Sequence, residues 1–168
     1  ALLAIVHSLE IPFWMVNPIL GALSLFFLYR VAAYYFDFKI AILTLLSVLL
    51  SPFFILTTAS YFNHSSCALE VLISVHLIQL FLAKKLRIYL ILVGLCMGMG
   101  LLTRPYTFFW CFFPFLVVSG FFKVAKFRDV LFVSLGLFPF VFVYLMYNYK
   151  VTGSVFVDAV LGWKSQAP

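Results

Sequence analysis

Ile88–Phe122 reads IYLILVGLCMGMGLLTRPYTFFWCFFPFLVVSGFF, and Arg104 is its only charged residue. Apolar residues run unbroken on both sides of the connection Thr103-Arg104-Pro105. A chain that must satisfy its backbone without water does so as helices. The connection between the two apolar segments is too short for a solvated loop. The rest of the chain agrees. Of its 168 residues 66% are hydrophobic and 10% charged, with 22 Phe. The mean hydropathy is +1.19. Soluble domains are about half apolar and about a quarter charged. The expected fold is all-α, a polytopic transmembrane helical bundle.

Working outward from that stretch, six apolar segments are long enough, or nearly so, to span: about 13–33, 40–60, 67–83, 88–103, 105–122 and 130–147. A span needs about 20 apolar residues, so the third and fourth are near the lower limit. Residues 2–11 are apolar but too short; they read as a short interfacial helix or the tail of an earlier element. No composition shift or internal repeat divides the chain, so residues 1–168 form a single transmembrane region. Pro52, Pro114 and Pro139 fall inside expected spans, where each removes a backbone bond and bends the helix. Gly94 and Gly98 form a small-xxx-small pair that lets another helix approach closely.

Charge sets the orientation. With the first span running inward, the inner loops carry Arg30, Lys39, Lys84, Lys85, Arg87, Lys123, Lys126 and Arg128, and the outer segments carry Arg104, Lys150 and Lys164. That is the positive-inside bias. The net charge of +6 is therefore read against a lipid bilayer, and nucleic acid is not an expected partner. Cys67, Cys96 and Cys111 have no metal or disulfide spacing and read as small apolar groups. No nucleotide, catalytic-triad or zinc motif is present, and no metal site is expected.

The polar residues gather on the outer side: Asn17, Asn63, His64, Ser65, Ser66, Glu70, Thr103, Arg104, Tyr106, Asn148, Thr152, Ser154 and Asp158. Ionisable groups at membrane depth are costly and mark sites. Arg104 is either a snorkelling arginine at headgroup level or an anion clamp, because its fork fits a phosphate. His64 either caps the next helix or bonds a polar substrate. Asn63-His64-Ser65 also fits the N-glycosylation pattern. Glu70, about one turn inside the third span, is expected to pair with Arg104 or His64, or to face a polar cavity. His76 lies deeper and reads as a packing group. Candidate substrate-binding residues are Arg104, His64, Asn63, Glu70, Tyr106 and Asn148.

Four ordered motifs then carry a resemblance. Asn17-Pro18-Ile19-Leu20-Gly21-Ala22-Leu23 resembles the NPLLGAL stretch of GT-C glycosyltransferases. These are polytopic enzymes similar to dolichyl-phosphate-mannose–protein mannosyltransferases and bacterial lipid A aminoarabinose transferases. Ser51-Pro52-Phe53-Phe54 with Ser60-Tyr61-Phe62-Asn63-His64 looks like the SPFF…SY.SH segment. Gly94 to Pro105 looks like the segment ending in LTRP, and Tyr147 to Ser154 like YNYxxTGSP, with Val155 in place of its proline.

The resemblance implies a hexosyltransferase-like enzyme of protein glycosylation type. Its partner would be a polyprenyl-phosphate-linked sugar donor, with the acceptor on the periplasmic or lumenal side. It implies an inverting mechanism with a carboxylate base in the first external loop. The 168 residues hold no such loop before the first span, and Glu10 does not match it. The chain therefore reads as an internal, middle piece of a longer GT-C membrane domain, with the catalytic base expected upstream of Ala1. A fixed arginine or a divalent cation in the full-length enzyme stabilises the departing phosphate. Both stay open at this level. The expected location is a multi-pass protein of the bacterial plasma membrane, its functional face outside. The competing classes are a transporter or flippase core for a lipid-linked substrate and a non-catalytic scaffold subunit.

Overall fold

A computed structural model describes residues 12–60, 64–118, 121 and 125–154. Seven helices are present among them, and no strand: α1 Phe13–Tyr35, α2 Phe38–Leu49, α3 Pro52–Thr58, α4 His64–Lys84, α5 Ile88–Thr103, α6 Pro105–Val118 and α7 Phe127–Thr152. The segment expected as an N-terminal interfacial helix lies outside the described residues.

By length and composition α1, α4 and α7 can each cross a membrane. The second expected span is instead a broken pair, α2 and α3, bent by 63°. Pro52 is the cause. It occupies the first turn of α3, where no N–H is needed. It also drives Ser51 to extended backbone, at φ −69° and ψ 123°. Counted as one span, the pair makes a fourth. The fourth and fifth expected spans form as α5 and α6, of 16 and 14 residues. At 1.5 Å per residue α5 reaches about 24 Å, short of a hydrocarbon core of about 30 Å. Arg104 leaves helical geometry at φ −151° and ψ 80°, and so stops α5. Among the described residues three helices are long and apolar enough to cross, or four with the bent pair, so the expected count of six is not confirmed. Pro18, Pro114 and Pro139 stay inside their helices.

Contacts fix the relative directions. Arg87 pairs with Asp129, Gly94 faces Gly136 and Gly98 faces Phe140, at a constant offset of 42 residues. A constant offset means that α5 and α7 run parallel. A Cβ on Gly94 would collide with the Val133 carbonyl, and one on Gly136 with the Ile91 carbonyl. The two backbones touch, as small residues permit between membrane helices. α4 runs antiparallel to α5, with Glu70 against Thr103. It runs parallel to α1, with His76 against Phe27 and Gln79 against Val31. The core comprises Cys67, Val75, Ile78, Phe81, Leu90, Val93, Phe108, Phe112 and Phe121. Large apolar side chains point outward instead, Phe53 and Phe138 among them. That is the arrangement for a lipid solvent.

Candidate functional site

The packing sorts the chain's polar groups to two ends. At one end stand Arg30, Lys39, Lys84, Lys85, Arg87, Lys126 and Arg128, at helix ends and their connections. Here Arg87 Nε approaches Asp129 Oδ1 at 3.3 Å, and Asp129 Oδ2 accepts the Lys126 N–H at 2.9 Å. Arg87 also lies 5.6 Å from the Phe132 ring centroid, a cation–π contact. This tie anchors the α4–α5 connection to the start of α7.

The opposite end holds the residues singled out in the sequence. The Asn17 side-chain amide donates to the Ser60 carbonyl, which ties α1 to the segment after α3. His64 begins α4, partly buried, its ring edge-on to Phe53 at 6.3 Å. Asn63 lies outside the described residues. Ser65 is buried, and its hydroxyl has no hydrogen-bond partner among the described residues. Glu70 is 6% exposed. The pairing expected for it with Arg104 or His64 is not what forms. Its Oε2 accepts the Thr103 hydroxyl at 3.0 Å. Hydropathy gives the depth of Glu70, whereas helix rotation chooses its partner and turns it towards α5. Asn148 is buried near the end of α7, where its carbonyl accepts the Thr152 hydroxyl at 2.8 Å. The parallel register with α5 brings it to the same end as Arg104. Gly153, at φ 75°, closes α7 in the left-handed conformation open to glycine.

The α5–α6 turn is the best-defined part of this end. The Gly100 carbonyl accepts both the Arg104 N–H at 2.9 Å and the Thr103 hydroxyl at 3.2 Å. The Arg104 carbonyl then accepts the Phe108 N–H at 2.9 Å and starts α6. Arg104 is partly buried, and Tyr106 is exposed. Beside the turn lies a cavity of about 170 Å³ lined by Met97, Leu101, Phe108, Phe112, Phe113, Leu116 and Leu137. Leu101 and Phe108, three residues before Arg104 and four after it, are the lining residues next to the turn. A cation in the turn between two helices that line an apolar cavity suits an amphiphile with an anionic head.

The sequence reading missed Thr103 as the partner of Glu70. It also missed the apolar cavity, whose walls come from three helices. Deeper in the bundle, His76 packs on Phe27 and faces Gln79 across 3.3 Å, the packing role expected for it. Among the described residues no group of three or more His, Cys, Asp or Glu could hold a metal ion.

No match is found among curated proteins or among solved structures. The family comparison is positive and covers residues 1–147, from before α1 to near the end of α7. It agrees with the helical bundle and takes in the first three ordered motifs, ending where the fourth begins. The chain belongs to the dolichyl-phosphate-mannose-protein mannosyltransferase family, which is of the GT-C glycosyltransferase type.

Proposed function

We propose that this integral membrane chain forms the donor-anchoring part of a glycosyltransferase that takes its sugar from a polyprenyl phosphate. The acceptor stands on the periplasmic or lumenal side. Arg104 faces the donor phosphate, and the cavity of Leu101, Phe108, Phe112 and Leu116 takes the first part of the prenyl chain. His64, Tyr106 and Asn148 surround the sugar and acceptor. One observation carries this reading: an arginine in the α5–α6 turn, at the polar end of the bundle, between two helices that line an apolar cavity.

The chemistry follows from charge. A base takes the acceptor hydroxyl's proton as its oxygen attacks the anomeric carbon, the bond to the phosphate oxygen breaks, and the leaving phosphate gains negative charge. A preorganised guanidinium stabilises that charge more in the transition state than in the ground state. Its planar fork also fixes the phosphate's orientation, which a lysine point charge does not. The full-length enzyme with Arg104→Ala should lose about a hundredfold or more in turnover from dolichyl phosphate mannose, as when one oxyanion donor is removed. Arg104→Lys should recover part of it. Unchanged turnover in Arg104→Ala, at matched expression, removes Arg104 from the site.

A further inference from the structure

Three acids stand among the described residues. Asp37 and Asp129 sit at the basic end, and Glu70 alone lies in a helix interior. A carboxylate there is expensive to desolvate, and an apolar side chain of similar volume would bury itself at no such cost. Glu70 is bonded to the Thr103 hydroxyl and takes no part in an ion pair with Arg104. Its own backbone is held too, since the Ser74 hydroxyl donates to the Glu70 carbonyl at 2.8 Å.

Thr103 is the last residue of α5, and Arg104 follows it directly. The Thr103 hydroxyl meets the Glu70 carboxylate on one side and the Gly100 carbonyl on the other. The same Gly100 carbonyl holds the Arg104 N–H. A Cβ on Gly100 would meet the Phe108 ring, which would have to shift to admit it. The final turn of α5 is therefore tied to α4 and packed against α6, next to the backbone from which Arg104 projects.

We propose that Glu70 is a positioning residue that acts through Thr103 to set Arg104 against the donor phosphate. This role rests on the donor reading of Arg104 given above and replaces direct substrate binding by Glu70. The test is the dissociation constant for dolichyl phosphate in the full-length enzyme, which needs no acceptor. Glu70→Leu and Thr103→Val should each weaken binding about tenfold, the size of one lost hydrogen bond to a charged group. The double variant should bind no more weakly than Thr103→Val alone, because that change already removes the shared contact. Glu70→Gln keeps an acceptor oxygen and Thr103→Ser keeps the hydroxyl, so both should stay within about twofold of the parent, the spread of near-neutral changes.

Should Glu70→Leu fail to give monodisperse protein, the Thr103 pair decides alone. Wild-type binding by Thr103→Val, beside weak binding by Arg104→Ala, overturns the proposal. So does a Glu70→Gln variant as weak as Glu70→Leu, since the charge itself would then be what matters. Wild-type binding by Arg104→Ala overturns the donor reading, and this role with it.

Discussion

A methyl group added at Gly94 should part α5 from α7. The Cβ would lie 2.9 Å from the Leu137 nitrogen and 3.0 Å from Gly136 Cα, and closer still to the Val133 carbonyl oxygen. Ordinary contact begins at 3.4 Å. All these neighbours are backbone, so no side chain can swing away, and the helices must separate. A gap of about 0.5–1 Å forfeits a quarter to a half of each contact's attraction along the seam. Overpacking of this kind costs about 1–3 kcal/mol. At about 2–4 °C per kcal/mol for a chain of this size, the melting temperature of Gly94→Ala should fall by about 2–12 °C. The assay is thermal unfolding of the detergent-solubilised full-length enzyme, followed by loss of the monodisperse peak. Gly136→Ala should cost a similar amount. The double variant should cost less than the two singles together, because one seam opens once. The cavity draws Met97 and Leu101 from α5 and Leu137 from α7, so dolichyl phosphate binding should weaken as well. An unchanged melting temperature in both single variants would refute the parallel α5–α7 seam.

Other expectations follow from the same contacts. Arg87 is about two-fifths exposed, so water screens its pair with Asp129, and Arg87→Ala should cost only about 0.5 kcal/mol by thermal unfolding. Asp129→Ala removes both that pair and the bond to the Lys126 N–H, and should cost about 1 kcal/mol more, as for a lost helix cap. Equal losses in the two variants would contradict that division. Single cysteines placed at Lys85 and Tyr106 should react with a membrane-impermeant maleimide from opposite sides, with Tyr106 on the periplasmic or lumenal side. Labelling of both from one side would overturn the direction assigned to α5.

The fold class and the separation of polar from basic ends were legible in the sequence, because composition and loop charge report them directly. Span count was less legible. Hydropathy averages over Ser51-Pro52 and Thr103-Arg104-Pro105, while the backbone breaks at both. Depth was readable and rotation was not, so Glu70 was placed near the polar end without its partner Thr103. The Gly94–Gly98 spacing signalled a close helix approach, but nothing local named Gly136 as the facing residue. The Arg87–Asp129 tie was hidden because loop charges read first as orientation signals. Lys126 and Asp129, at the spacing of a helix cap and its third residue, were the available sign.

The central claim is that the polyprenyl donor binds at the α5–α6 turn, with its phosphate on Arg104 and its chain in the adjoining cavity. Photo-crosslinking tests this most directly, using a prenyl phosphate with a photoreactive group near the head of its chain and the full-length enzyme in membranes. The account predicts that the label falls on residues between Met97 and Leu116, and that Arg104→Ala abolishes it. A label confined to other helices, or one that survives intact in Arg104→Ala, would contradict it.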